Sequence, residues 1–300
     1  MVLKFTNQQT AILAALARYQ CLTCPQLHLL KLGGLRSLRR SMRALVEISK
    51  PAALVKVHTF PTHARLGRLC NVYTLTEFGE HMISDRIGNP VSRKYKQPRI
   101  MTWFSADYFH RTLVIDFRIR VEMALKTTPF KTHRWHSYFQ KTQITTNPKP
   151  GFTACTQVDF MDGSSFVPDT VFFLAEPRTN KTALITLECV CGNRVERTLA
   201  QIHRHRHAIQ EKVVATKYSM PEGRSYLSLF LFEHPELLSR VIEHLNRDHY
   251  KRYRPYCRHF LFATVEDAER DILSCWRRLD DLQYLYSFID GKRKYRLSSG

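Results

Sequence analysis

The sequence predicts an α+β to α/β chain in two parts: a helical N-terminal head closed by a β-ribbon, then a larger domain with a mixed sheet. Three observations carry this. Apolar residues recur at helical spacing in three short runs within the first 50 residues, two β-type runs occupy residues 53–75, and after about residue 130 β-type runs give way to alternating helical and strand patterns. At roughly 100–200 residues per domain, 300 residues correspond to two domains.

Composition narrows the function before any motif does. The 46 Lys and Arg outnumber 26 Asp and Glu, giving a net charge of +20, while 44% of the residues are hydrophobic. That apolar content supports a packed core and argues against intrinsic disorder, a collagen-like repeat and a low-complexity tail. The charge selects polyanionic partners: nucleic acid first, an anionic membrane surface second. No window approaches the ~18 consecutive apolar residues that span a bilayer. Val2 stands where myristoylation needs glycine, and the basic C-terminus, Lys292 to Arg296, has no prenylation box. Nucleic acid is therefore the expected partner, without membrane insertion. Met1 to Gln9 lacks the apolar core of a signal peptide, which predicts a cytoplasmic protein with reduced thiols. Cys21-Leu22-Thr23-Cys24 has no properly spaced second half-site in Cys189-Val190-Cys191, so zinc is not expected.

In chain order, Ile12, Leu13, Leu16 and Tyr19 form the stripe of a first helix over 8–19. Thr23 caps a short second helix with Pro25 in its first turn and Leu27 and Leu30 buried; Gly33-Gly34 ends it. A third helix, about 35–49, puts Leu35, Leu38, Met42 and Leu45 on one side and Arg36, Arg39, Arg40 and Arg43 on the other. A solvated face is the ordinary explanation of helical charges. Four arginines with no acid before Glu47 instead favour contact with DNA. Residues 53–58, including Lys56, and 69–75 read as antiparallel strands joined by a loop carrying His63, Arg65, Gly67 and Arg68. Three helices and a ribbon with a basic tip make a winged helix-turn-helix over residues 1–87. Its third helix would enter the major groove and its wing would touch flanking backbone. Thr76 starts a closing helix, Glu77 to Asp85. Residues 88–100, with two prolines and basic residues including Arg93 and Lys94, read as a linker able to lie along phosphates.

The second domain is expected over residues 101–300. Ser105 caps a long helix to about Lys126 that turns Phe109, Leu113, Phe117 and Val121 inward. Strand-like runs follow at 135–140, 152–160, 166–174 and 182–190, then a helix over 195–215, strands near 226–232 and 259–263, and helices after each. Val167-Pro168-Asp169-Thr170 precedes one apolar strand, and Glu188 ends the next. Acids emerging from apolar strands are costly unless exposed or bound to a cation. Two that face one cavity offer hard oxygens to Mg²⁺ or Mn²⁺, which polarises phosphodiesters and activates water. Equally, Asp169 can cap a turn after Pro168, and Glu188 can pair with Arg194 or Arg197.

A ribbon-closed helical head followed by Pro-Asp, a strand, and Glu at the end of the next strand resembles the replication-relaxation family, which includes the MOBC-type conjugative relaxases. The residues that carry the resemblance are Thr6-Asn7-Gln8-Gln9, the block Val72-Tyr73-Thr74-Leu75-Thr76-Glu77-Phe78-Gly79, His110, and Leu187-Glu188 followed by Gly192-Asn193-Arg194. The resemblance covers nearly the whole chain. It implies a restriction-endonuclease-like, PD-(D/E)XK-type second domain that nicks DNA at a plasmid or mobile-element origin. Double-stranded origin DNA would be the partner, with a coupling protein or other relaxosome components, and there is room for a homodimer. Asp169 and Glu188 would then be catalytic metal ligands. The motif expects Lys or an acid two positions after Glu188, where this chain has Val190. Gln201, His205 or Lys212 on the following helix are candidates to supply the missing group, Gln201 as a catalytic residue, and Glu122 on the long helix is a candidate further ligand. The alternative is a catalytically degenerate member that binds DNA as a replication or transcription regulator.

His203 and His207 share a helix face, but within His203-Arg204-His205-Arg206-His207 they read as a basic surface. Arg204 stands where a histidine-cluster relaxase needs an apolar residue, and Tyr19, Tyr250 and Tyr253 are not distinguished as nucleophiles. The chain has no GxxxxGK[ST], no GxGxxG after a strand and no GxSxG, so an ATP-driven motor, a dinucleotide enzyme and a serine hydrolase are not supported.

Overall fold

The computed structural model describes residues 4–47, 53–63, 67–87, 107–144, 151–179, 181–221, 226–248 and 253–296. It is a mixed α and β structure, and its contacts divide the chain into units of residues 1–119 and 120–300.

In the first unit, α1 (Asn7–Tyr19) starts at a capping box: Gln9 N–H donates to Thr6 Oγ1 at 3.2 Å and Thr6 N–H donates to Gln9 Oε1 at 2.9 Å. Its expected stripe, Ile12, Leu13, Leu16 and Tyr19, is buried. Next comes a strand the sequence reading did not anticipate, β1 (Cys21–Thr23). Thr23 ends it and caps α2 (Cys24–Leu29) in a second capping box with Gln26. Leu27 is buried, but Leu30 is only half-buried because it is the cap beyond the last turn. In α3 (Leu35–Glu47), Leu38, Met42 and Leu45 are fully buried, each worth about 1.5–3 kcal/mol of transfer free energy. Leu35, expected beside them, is 38% exposed at the helix's first residue.

The two expected strands form as β2 (Val55–His58) and β5 (Val72–Leu75), starting later than residues 53 and 69. They pair antiparallel, Val55 with Leu75, and β5 is central because β1 takes its other edge. Between them a hairpin, β3 (Thr62–His63) and β4 (Gly67–Arg68), occupies the expected loop; Arg65 lies outside the described residues. Then α4 (Glu77–Ile87) begins with Gly79 N–H donating to Thr76 Oγ1 at 3.0 Å. A Cβ at Gly79 would meet the Leu54 carbonyl oxygen at 2.1 Å, so glycine lets α4 approach the backbone beside β2. The expected linker, with Arg93 and Lys94, and Ser105 lie outside the described residues.

α5 (Tyr108–Leu125) buries Phe117 and Val121 as expected. It leaves Leu113 half-buried and Phe109 exposed, because buried side chains such as Val114, Ile115 and Ile119 lie all round the helix and not along one stripe.

The second unit is built on an eight-stranded mixed sheet among the described residues. Its strands are β6 (Lys131–Ser137), β11 (Thr170–Glu176), β12 (Lys181–Val190), β13 (Tyr226–Phe232), β14 (Phe260–Thr264), β15 (Trp276–Arg278), β16 (Asp281–Tyr286) and β17 (Arg293–Arg296), adjacent in that order. Only β12, β13 and β14 run parallel. Three expectations shift. The 135–140 run starts earlier, and its last residues form a turn, with Gln140 N–H on Ser137 O. The 152–160 run breaks into β8 (Gly151–Ala154), paired with β7 (Lys141–Ile144), and β9 (Val158–Asp159), paired with β10 (Ser165–Phe166). The 195–215 helix is interrupted at Lys212, whose φ of 58° ends α6 (Val195–Gln210) before α7 (Val213–Lys217). The last three strands were not anticipated; the basic run read as a charged C-terminal segment is an exposed edge strand. Charged side chains on such an edge oppose pairing with a foreign strand. Behind the parallel strands, α6 and α8 (Pro235–Asp248) bury Ile202, Leu238, Val241 and Leu245 against Phe230, Phe232 and Phe262. No helix among the described residues is long and apolar enough to cross a membrane.

Candidate functional site

In the first unit the four predicted arginines of α3 are all exposed, opposite the buried Leu38, Met42 and Leu45. The fold divides them. Arg39 and Arg43 line one cavity together with Arg68 of β4, whereas Arg36, Arg40 and the exposed Lys56 of β2 do not. Among the described residues no acidic side chain lines that cavity. Tyr73 and Cys24, which hydrogen-bond each other there, are held neutral: burial is the main cause that pushes both groups above their ordinary values. His58, which does not line the cavity and meets Thr74 Oγ1 at 2.9 Å, is lowered to about 4 by burial and by Lys56.

The second unit brings the two predicted carboxylates together. Thr170 and Leu187 are partners in the antiparallel β11–β12 register, so Asp169, one residue earlier, stands across from Glu188, one residue later. Both are nearly buried, at 6% and 2% exposure. Asp169 Oδ2 accepts the Cys189 N–H at 2.7 Å. Glu188 points at α6, where Gln201 Nε2 donates to Oε2 at 3.1 Å and His205 Nε2 lies 2.7 Å from Oε1. Gln201 and His205 are one turn apart on α6, so one helix face serves both oxygens.

The electrostatics follow from burial. Glu188 is pushed well above the ordinary carboxylate value by desolvation first and by the charge of Asp169 second; Arg204 and Arg197 oppose this only partly. His205, wholly buried, is lowered to about 3 by desolvation, so its imidazole is neutral. Its other nitrogen, Nδ1, lies 3.2 Å from the Tyr226 hydroxyl and 3.1 Å from Ser228 Oγ, and Thr186 Oγ1 donates to Ser228 Oγ at 3.1 Å. Burial and Glu188 together raise Tyr226 well above its usual value. Tyr226 and Ser228 were missed from the sequence. Their signal was present: two polar residues at alternate positions of a strand otherwise apolar.

Other predicted residues stand elsewhere. Glu122 is half-buried on α5 and is not among the groups acting on Glu188. Among the described residues no three His, Cys, Asp or Glu side chains form a metal-holding group, so Glu122 does not complete a ligand set; Gln201 and His205 are what adjoin Glu188. Lys212 is exposed at the break after α6. Glu188 forms no ion pair with Arg194 or Arg197; its near partner is the neutral His205, 2.7 Å away. Val190 is buried in the apolar cluster beneath α6 with Val195 and Ile202. His203 and His207 go to different partners, Tyr253 at 2.6 Å and Glu211 at 2.7 Å. Tyr19 and Tyr253 are both buried, and Tyr250 lies outside the described residues. The eight cysteines are all free thiols, and Cys21 and Cys24 are both buried.

Two carboxylates share a buried place where the charge of one raises the pKa of the other, and a cation between them would relieve that repulsion.

A family model described as replication-relaxation matches residues 13–213, a span that runs from α1 to the first residue of α7 and contains the α3 arginines, Asp169, Glu188, Gln201 and His205. No curated protein and no solved structure matches the chain.

Proposed function

The chain belongs to the replication-relaxation family, and from that premise we propose that it binds duplex DNA at the origin of a plasmid or mobile element and nicks one strand there. Its first unit acts as a winged helix-turn-helix, with α3 in the major groove and the β3–β4 hairpin on flanking phosphates. Its second unit acts as a restriction-endonuclease-like domain. The observation that carries this reading is the register that sets Asp169 across from Glu188 on neighbouring strands.

In this mechanism Arg36, Arg39, Arg40, Arg43, Lys56 and Arg68 neutralise phosphates or read base edges, and Arg65, Arg93 and Lys94, outside the described residues, are proposed to contact phosphates as well. Asp169 and Glu188 would hold a Mg²⁺ or Mn²⁺ ion, which polarises a phosphodiester and lowers the pKa of bound water. Gln201 fixes the orientation of Glu188 through its 3.1 Å hydrogen bond. Neutral His205 does the same from the other oxygen, and Ser228 and Tyr226 fix His205 in turn. The partners that fit are double-stranded origin DNA, a coupling protein or other relaxosome components, and a second copy of the chain; the working place is the cytoplasm.

Supercoiled origin plasmid incubated with the protein and Mg²⁺ or Mn²⁺ should become open circle, and Asp169→Ala or Glu188→Ala should abolish this. Tight origin binding without nicking under any divalent metal overturns the enzyme reading.

A second reading has its own support. Both oxygens of Glu188 are already engaged by protein groups, and the motif's third position is the buried Val190. These features suit a degenerate nuclease fold kept for DNA binding and regulation, in which Glu188→Ala would leave origin binding intact.

A further inference from the structure

A cavity lies beside α3. It has a volume of about 570 Å³, within the roughly 300–1,000 Å³ of small-molecule sites. Its walls include Val46 from α3, Val57 from β2 and Leu69 after the hairpin, with Tyr73 of the central strand β5 among them. Val57 and Tyr73 are cross-strand partners, which places the Tyr73 side chain beside an aliphatic one on a single face of the sheet. Arg39, Arg43 and Arg68 contribute the charge.

A phosphate of an intact duplex needs only the guanidinium groups, because its bases stay stacked and leave apolar depth unfilled. A ligand that uses every wall has an anionic end for the arginines and a flat, weakly polar body for Val57, Leu69 and Tyr73. Bases meet that second requirement because each presents a π-face to an aromatic side chain. The neutral state of Tyr73 and Cys24 leaves no negative charge to compete with the ligand's own.

We propose that this cavity binds one nucleotide, with its phosphate on Arg39, Arg43 and Arg68 and its base against Tyr73 and the aliphatic walls. The nucleotide comes either from free solution or from an unstacked DNA strand. Both sources share this chemistry, and both use arginines that the DNA surface also uses. The proposal therefore goes beyond duplex recognition and needs no nicking.

The test is calorimetric titration of the full-length protein with deoxyadenosine and thymidine 5′-monophosphates, inorganic phosphate, deoxyadenosine, a short single strand and a blunt duplex. The monophosphates are expected to bind more tightly than phosphate or deoxyadenosine alone. Arg39→Ala and Arg43→Ala should each weaken the monophosphate by about tenfold or more. Val57→Trp, which fills the cavity, should abolish monophosphate binding, and Leu69→Trp serves as a second filling variant; far-UV circular dichroism establishes that each is folded. Arg36→Ala should weaken the duplex and leave the monophosphates unchanged. A single strand that binds more tightly than the monophosphates assigns the site to DNA, whereas monophosphates that displace the duplex assign it to a free effector. Monophosphates that do not bind at millimolar concentration overturn the proposal, as does binding no tighter than phosphate or binding that persists in both folded filling variants. In each of these cases, duplex binding lost with Arg39→Ala and Arg43→Ala would still stand, so the two readings fail separately.

Discussion

Glu188 Oε1 lies 2.7 Å from Nε2 of His205, with both side chains almost wholly out of water. The pair is held without full charge separation, because burial raises the carboxyl group and lowers the imidazole to about 3. Burial disfavours charge on both groups, and a pair held by a hydrogen bond costs less to bury than a full ion pair would.

This makes Glu188 a residue whose shape matters more than its charge when no cation is bound. Glu188→Gln should keep a hydrogen-bonding group for both His205 and Gln201, and at neutral pH should be as stable as the natural protein or more so. Glu188→Ala leaves those partners unsatisfied and should cost about 1–3 kcal/mol. Thermal melts of both variants check this. Millimolar Mg²⁺ should raise the melting temperature of the natural protein and not that of Glu188→Gln if a cation binds there.

His205 predicts a dependence on pH. The unfolded chain takes up a proton on this histidine below its ordinary 6.5, while the folded chain does not until about 3. At this site the unfolded state thus binds more protons across that window, so the contribution of His205 to stability falls as pH drops from 6.5 towards 3, by at most about 1.4 kcal/mol per pH unit. Denaturant titrations of the natural protein and of His205→Asn at pH 7, 6 and 5 should show this loss as the change in the difference between the two. The raised pKa of Glu188 acts in the opposite sense, because the folded chain keeps a proton there that the unfolded chain gives up, so the His205 contribution is read as the difference between the natural protein and His205→Asn.

The arginines of α3 should separate into two classes. Each one that contacts only phosphate should, as alanine, reduce the slope of log affinity against log salt by about one unit and weaken all sequences alike. Each one that reads a base should cost about 1–3 kcal/mol and relax discrimination at one position. Because Arg39 and Arg43 line a cavity with Arg68, we expect them in the first class and Arg36 and Arg40 in the second. Origin-fragment binding at several salt concentrations, repeated with single-base variants, distinguishes the two.

Gly79→Ala should destabilise the first unit by about 1–3 kcal/mol, because its methyl group would press on the Leu54 carbonyl at 2.1 Å. Chemical denaturation measures it. A value within experimental error of the natural protein would mean that α4 can move off β2 at no cost.

Local signals carried much of this protein. Thr6 with Gln9 and Thr23 with Gln26 are capping boxes within four residues of chain, and the burial stripe of α3 repeats its own periodicity; such features depend on neighbours in sequence. The sequence therefore determined by itself the helices and ribbon of the head, the arginine face, the strands on either side of the Asp169–Glu188 pair, and the absence of a motif lysine at Val190. Tertiary structure decided what depends on pairing across long separations. β1 is a strand because β5 accepts it, and the last three strands exist because β14 offers an edge; neither partner is visible from the strand itself. The same holds for the site. Two acids 19 positions apart meet only through the β11–β12 register, and His205 becomes a neutral partner of Glu188 only once α6 has excluded water from both. Spacing along a chain sets which groups can meet; burial sets the charge they carry when they do.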